Sequence, residues 1–478
     1  MPSTPARTRR ARVLACLATL LAVALIAPEA RAAVPAPEVV GPIPATAPPG
    51  DPSRDYPFFA SDDGLERDGY VEREYFLDGT ATAYAANGTT TATVQSTGHP
   101  YRTRIVVRRP AAARDFNGTV ILEWYNVSNQ YDQEVDWLQT HEHLVREGYA
   151  WVGVSAQRAG IHSPTGLRAW NPDRYGSLDV TAGGAFTNDA LSYDIFSQAA
   201  AAVRGTATAD PLGGLRARQV LATGHSQSAM RLRTYVNSIH PLAGVINGFL
   251  LHGIVGPGTV RTDLTTPVFK LQSESDVLVL GQAATRQADT PYLRTWEVTG
   301  TSHGDLKLVA EHGPLRVRDI GSPPEDYPIG IPTRCDKPPL SRIPFYMAQN
   351  RAYDWLSTWA DGGDQPPSAP WIELLSVQPA VAARDGFGNA LGGLRLPQHA
   401  VPTAENTGLN SGPAGTFCFL HGSHVPFSAA TLEALYRRHG GYVSRVAAAT
   451  RETVDAGYIT RADAHETRTS AARSSVGR

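Results

Sequence analysis

Leu221-Ala222-Thr223-Gly224-His225-Ser226-Gln227-Ser228-Ala229 joins two patterns of different period. Arg218–Thr223 carries the apolar run Val220-Leu221-Ala222 and stops at Gly224, which predicts a strand. Ser228–His240 has helical spacing. The junction fits G-x-S-x-S. A serine whose hydroxyl must stand clear at the end of a sheet occupies a tight, strained turn. That turn needs small neighbours and usually reads G-x-S-x-G. Ser228 keeps the last position small without being Gly. Five-residue patterns of small residues recur by chance, so the strand-turn-helix context carries most of the weight.

A serine alcohol needs a base, and the base needs an orienting acid. Downstream, the strand Pro267–Gln272 runs into Ser273-Glu274-Ser275-Asp276. The strand Leu293–Val298 runs into Thr299-Gly300-Thr301-Ser302-His303. Asp276 follows Ser226 by 50 residues and His303 follows Asp276 by 27, room for one strand-and-helix step each time. Ser226 is thus the expected nucleophile, His303 the base and Asp276 the acid. Glu274 is the alternative acid, because both carboxylates follow the same strand. A lone Asp or His in a loop is ordinarily just solvated. Three such residues in the required order, each after a strand, are what make the reading.

Further strands are expected at Tyr70–Phe76, Tyr101–Arg108, Thr119–Trp124, Ala150–Ala156 and Gly248–His252. Helices are expected at Val135–Glu147, Tyr193–Arg204 and Pro344–Trp359. Strands alternating with helices, mostly as continuous apolar runs, predict an α/β fold. Its sheet would be mostly parallel and eight-stranded, with helices on both faces. The chain resembles the α/β-hydrolase superfamily over about residues 70–362. Within it, the chain is most similar to exported bacterial proteins of the "alpha/beta hydrolase domain" kind. The strings that carry this are Glu123-Trp124-Tyr125-Asn126-Val127-Ser128, Gly153-Val154-Ser155-Ala156-Gln157, Gly224-His225-Ser226-Gln227-Ser228, and Asp385 with Gly388-Asn389-Ala390-Leu391-Gly392-Gly393-Leu394-Arg395-Leu396-Pro397. The resemblance implies a serine hydrolase and says little about substrate. It implies an oxyanion hole made by the Gln227 N–H and a second backbone N–H at Asn126, with Tyr125 or Val127 as alternatives.

The rest of the chain bounds this reading. Hydrophobic residues are 42% and charged residues 18% of 478, enough for a large buried core. A net charge of −2 offers no basic field for nucleic acid. Residues 1–32 read as a signal peptide: Arg7, Arg9, Arg10 and Arg12, the apolar Val13–Ala27, then Ala30-Arg31-Ala32. The expected protein is therefore secreted or extracytoplasmic, with no membrane span after cleavage. Export places Cys335 and Cys418 in an oxidising compartment, where they are candidates for a disulfide. His141-Glu142-His143 reads as an amphipathic helix, because H-x-H diverges around a helix. No metal or cofactor motif is expected.

Residues 33–68 read as an extended Pro-rich arm, and 69–362 as the core with lid-like loops at about 157–190 and 305–340. Residues 363–478 read as a C-terminal extension wrapped on the core, flexible from about 463. Trp124, Tyr125, Trp170 and Tyr175 are candidate walls of an apolar acyl pocket. The expected activity is carboxylic-ester hydrolysis on a small-molecule ester. Acyl transfer, peptide or amide hydrolysis and a non-enzymatic binding module are the alternatives.

Overall fold

Six apolar runs form the middle of one sheet. They are β4 (Thr119–Trp124), β5 (Ala150–Val154), β6 (Gln219–His225), β7 (Gly248–His252), β8 (Val268–Ser273) and β9 (Leu293–Val298), and every residue in them is buried. Strands covered on both faces need no polar alternation, which is why they read as continuous hydrophobic stretches. In the computed structural model these six pair in parallel in the order β5-β4-β6-β7-β8-β9. The model describes residues 1–3, 34–62, 64–206, 209–322, 334–414 and 416–478. The signal-like segment 1–32 falls almost wholly outside these. So does the stretch 323–333 of the second lid-like loop.

Both faces of the sheet are covered. Phe249 on β7 meets the ring of Tyr235, which follows the helix Gln227–Thr234. Its neighbour Gly248 points the other way, where an added Cβ would sit 3.1 Å from Leu356 of the helix Phe345–Ala360. That second helix shares its face with Val135–Arg146, whose His143 bonds Asp354 at 3.0 Å.

The sheet has nine strands, not eight. Beyond β5 come the antiparallel β3 (Thr90–Pro110), β2 (Tyr70–Asn87) and β1 (Glu38–Val40). The ninth strand, β1, comes from the Pro-rich arm. Its Val39 pairs with Leu77. The arm is folded rather than extended, because its three aromatic residues are anchored in the core while Pro and Asp dominate its composition. Tyr56, Phe58 and Phe59 are buried, and both Tyr56 and Phe58 pack edge-on to Trp170. Strands β2 and β3 outrun the expected Tyr70–Phe76 and Tyr101–Arg108. The added length is a Thr-rich hairpin that turns near Gly88, at φ 58°. β-Branched Thr favours strand without an apolar signature.

β2 and β3 hide charges. Arg104 bonds Glu74 at 2.6 Å, and Arg108 bonds Glu72 at 2.7 Å and Glu134 at 2.9 Å. The Arg108 guanidinium lies over the rings of Trp137 and Trp151, at 4.6 and 4.7 Å. Buried guanidinium groups are tolerated only when paired in this way.

The described parts of the two lid-like segments are built structure. Helices Arg158–His162, Leu167–Trp170 and Pro172–Tyr175 occupy the first. Leu306–Leu315 begins the second. They meet at the arm: Asp319 accepts from Tyr56 Oη (2.7 Å) and the Phe59 N–H (3.0 Å), while Trp170 Nε1 donates to its carbonyl (2.8 Å).

The C-terminal extension is woven into the sheet edge. Leu394 forms a parallel bridge with Val298 at the end of β9, its N–H donating to Glu297 O at 2.7 Å. Gly393, at φ 65°, allows this approach, since a Cβ there would lie 2.0 Å from Thr299 Oγ1. The expectation of a flexible tail from about 463 is corrected. Arg461–Arg473 is a helix with a Thr460/Asp463 capping box, and Asp463, Ala464, Thr467 and Ala471 are buried. The polar composition misled because this helix docks through Ala and Thr; Asn350 Nδ2 donates to Asp463 at 3.0 Å.

A chain ending at Gly363 loses the Leu394 rung and the Tyr458 ring that packs on Trp296. The expected result is no cooperative melting transition by circular dichroism. Native-like melting of that truncation would show the extension to be a separate layer.

Candidate active site

The parallel register decides which residues meet. His225 is level with His252, and Gln272 with Glu297, so β6, β8 and β9 deliver their following residues to one edge of the sheet. Ser226 leaves β6 there, the Ser273–Asp276 turn leaves β8, and the loop to His303 leaves β9.

Ser226 has φ 60° and ψ −117°, a strained backbone for a residue with a Cβ. Its N–H donates to His252 O at 3.0 Å. A Cβ on Gly224 would come within 3.1 Å of Ser228 C and Oγ. Ser228 is fully buried, and its hydroxyl closes the turn. It accepts from the His225 N–H at 3.1 Å and donates to His225 O at 2.9 Å. That is why Ser can stand where the usual pattern has Gly.

His303 Nδ1 and Asp276 Oδ1 are 2.6 Å apart. Asp276 is fixed by a capping box at the start of Glu274–Leu278. Its Oδ2 accepts the Ser273 N–H at 2.6 Å, and its own N–H donates to Ser273 Oγ at 3.2 Å. Glu274 is directed elsewhere: it pairs with Arg384 at 2.8 Å and accepts the Gly300 N–H at 2.8 Å. The geometry thus brings Asp276, and not Glu274, to His303. The His225 ring lies between sites, 4.3 Å from the His303 ring and 4.4 Å from that of His252. Burial, and then the charges His303 and His252 can carry, push His225 well below the ordinary histidine range, so it is neutral.

Gln227 is the first residue of its helix, where a backbone N–H has no partner within the helix. Its side chain donates to Gln157 Oε1 at 3.1 Å. Asn126 differs from expectation. Its N–H donates to Gln133 O at 3.1 Å, closing an isolated antiparallel bridge. Its side-chain amide instead donates to His225 O at 3.0 Å, tying the loop after β4 to the serine turn. Glu123 sets where that loop ends: its carboxylate accepts the Asp136 and Trp137 N–H groups at the start of the next helix, and Trp151 Nε1. Burial and the Asp136 charge push Glu123 up.

The four candidate pocket aromatics are packing residues. Trp124 stacks on Phe196 at 4.5 Å and Tyr125 fills the space left by Gly153. Trp170 and Tyr175 pack on the arm and on Glu74. Arg231, one turn along the helix from Ser226, was not singled out in the sequence. It bonds Asp189 at 3.2 Å; Asp189, at φ 58°, also accepts the Arg158 N–H and the Gln157 amide. A non-Gly residue at positive φ gives no sequence signal.

Cys335 and Cys418 are bonded, with Cα atoms 5.6 Å apart. Cys418 starts the short helix Cys418–His421, whose Leu420 carbonyl accepts the Gly304 N–H at 2.9 Å. The extension therefore backs the His303 loop directly.

A family model described as "Alpha/beta hydrolase domain" matches residues 39–469. The protein belongs to that family. No curated protein matches it. Among solved structures, this alpha/beta hydrolase is similar to esterase Est22, at 13% identity, covering 53% of this chain and 79% of that one, with a TM-score of 0.30. It is also similar to acetyl xylan esterase 1 from Thermoanaerobacterium sp. JW/SL YS485, at 13% identity, 39% and 49% coverage and a TM-score of 0.22. A third is a carbohydrate esterase family 15 glucuronoyl esterase from Caldicellulosiruptor kristjansonii, at 18% identity, 37% and 45% coverage and a TM-score of 0.22. This chain covers less than half of the last two. Likenesses this remote carry no argument about what it acts on.

The alpha/beta hydrolase buries several neutral histidines. Burial holds His312 and His399 down to about 3 and His421 to about 4. Unfolded, each takes up a proton near its ordinary value of about 6.5. The unfolded state therefore binds more protons between those limits. Their contribution to stability is complete above about pH 6.5 and is lost as pH falls toward 4. The buried carboxyls act in the opposite sense: Asp132 and Glu134 are raised by burial to about 6 and about 7, and Glu123, Asp194 and Asp305 are raised as well. The histidine share is therefore read from a variant: relative to wild type, the urea midpoint of His421→Gln should rise as pH falls from 7 to 5. A difference between wild type and variant that stays constant over that interval would contradict the assignment.

Proposed function

We propose that the protein is an exported serine hydrolase that cleaves carboxylic esters through an acyl-enzyme on Ser226. The observation that carries this is the 2.6 Å contact between His303 Nδ1 and Asp276 Oδ1, at the sheet edge where Ser226 holds its strained turn.

In this reading Ser226 Oγ attacks the acyl carbonyl while His303 Nε2 takes its proton. Asp276 keeps the His303 proton on Nδ1, leaving Nε2 free as a base, and stabilises the imidazolium that forms. The tetrahedral oxyanion is met by the Gln227 N–H, whose helix N-terminus adds a favourable dipole. With the Asn126 N–H committed to Gln133 and that of Tyr125 reaching Val154 O at 3.4 Å, the second donor falls to Val127. Collapse of the intermediate expels the alcohol, protonated by His303. Water then repeats the sequence on the acyl-enzyme, and the acid leaves with Ser226 restored.

Ester is preferred over amide. Among the described residues, the segments near the serine turn are short helices and the extension, with no separate cleft-forming domain to hold an extended peptide. The signal-like residues 1–32 support export, and the bonded Cys335–Cys418 pair accords with an oxidising compartment. No helix among the described residues is long and apolar enough to cross a membrane.

Matched p-nitrophenyl ester and anilide substrates test the reading on purified protein. Ester turnover well above anilide turnover is expected, and equal or faster anilide turnover would overturn it. Ser226→Ala should lose turnover and keep the fold. Asp276→Asn should lower kcat by roughly 10³–10⁴-fold, as tautomer loss does in such triads. Glu274→Gln should act mainly on stability, by about 1–3 kcal/mol, because it weakens a buried charge-assisted pair with Arg384. The reverse pattern between these two would move the acid to Glu274.

A further inference from the structure

Behind His303 runs a column of rings that the proposed chemistry leaves unused. The His303 ring lies 4.3 Å from His225, His225 lies 4.4 Å from His252, and His252 stacks on Phe345 at 5.1 Å with the planes 17° apart. The column ends in a second histidine–aspartate pair: His252 Nδ1 is 3.0 Å from Asp136 Oδ1, with both side chains buried. Asp136 Oδ1 also receives Gln349 Nε2 and, at 3.2 Å, the Tyr353 hydroxyl. Tyr353 in turn reaches Thr223 of β6 at 3.2 Å. The column has no slack. Gly253, at φ 57°, follows His252, and a Cβ there would lie 3.1 Å from the His225 ring and 3.2 Å from His303 Nδ1.

We infer that His252 is a positioning residue for both Ser226 and His303, through its backbone carbonyl and the packing of its ring. Its backbone carbonyl accepts the Ser226 N–H at 3.0 Å and so helps to hold the strained turn. Its ring supports the His225 ring, on which the His303 ring rests. One residue therefore fixes the serine through the backbone and the base through tilted ring contacts. Near-attack geometry tolerates little error, and a displacement of about 1 Å can cost roughly 10²-fold in rate. His225 suits the middle of the column because it is neutral: a cation there would repel the imidazolium that forms on His303. Its buried Nε2 has no hydrogen-bond partner, while the ring also bonds the His303 backbone, a second tie between the column and the His303 loop.

The inference rests on the serine-hydrolase reading, and two variants test it apart from that reading. His252→Gln keeps a donor for Asp136 but removes the ring. His252→Phe keeps a ring in contact with His225 and stacked on Phe345 but removes the bond. The expected result for His252→Gln is kcat down tenfold or more with KM within twofold, and fluorophosphonate labelling of Ser226 slowed in parallel. His252→Phe should restore kcat to within threefold of wild type. Thermal melting of each variant accompanies the kinetics. Wild-type kcat in His252→Gln, or His252→Phe as impaired as His252→Gln, overturns the inference while leaving the hydrolase reading intact. If His252→Gln does not fold, His252→Phe decides alone: kcat within threefold supports the stack, and a loss beyond tenfold refutes it. A wild-type protein that neither turns over esters nor is labelled at Ser226 removes both.

Discussion

Ser226 sits at a backbone angle that a residue with a side chain adopts only under constraint. Such strain costs on the order of 1–3 kcal/mol and persists only where surrounding structure over-determines it. Here the constraints can be named. Gly224 leaves space for the following helix, and Ser228 bonds both polar groups of the His225 backbone. His252 accepts the Ser226 N–H, and Asn126 reaches across from the loop after β4 to the His225 carbonyl. Parallel pairing of β6 with β4 and β7 is what brings these groups together. The turn is thus a property of the sheet as a whole, and His303 and Asp276 come to the same edge because their strands end there.

The C-terminal extension belongs to this constraint. A Cβ on Gly408 would lie 2.4 Å from the Ser275 N and 2.7 Å from the Thr301 carbonyl, so the extension presses on the Asp276 loop and the His303 loop at one point. Ser275 Oγ donates to Gly408 O at 2.6 Å and accepts the His303 N–H at 3.2 Å. Arg384 neutralises Glu274, and Leu420 holds Gly304. With Glu274 paired to the extension, one carboxylate of the two after β8 remains for His303. The glycine-punctuated stretch Asp385–Pro397 reads as loop and hairpin in sequence. Its tight glycines let that loop lie against β9.

The sheet, the serine turn and the order of strands were legible because each rests on local pattern: apolar runs, a small-residue junction, strands followed by Asp or His. What could not be read depends on contacts distant in sequence. The arm's Tyr56, Phe58 and Phe59 look like linker residues until Trp170 and Asp319 arrive more than a hundred residues later. Strand length in β2 and β3 was hidden by Thr and Ala, which carry no hydrophobic period. The commitment of the Asn126 N–H to Gln133 depends on a bridge within a loop, and sequence gives no register for such a bridge. Trp124, Tyr125, Trp170 and Tyr175 were read as pocket walls because large aromatics suit either role; burial decides for packing.

In the proposed reaction the hydroxyl of Ser226, and no other, is activated as a nucleophile. Peptide mass mapping after treatment of the intact protein with a fluorophosphonate reads this directly. A single adduct on Ser226 is expected, lost in Ser226→Ala and strongly slowed in Asp276→Asn. An adduct on Ser228, or labelling of Ser226→Ala at the wild-type rate, would contradict it.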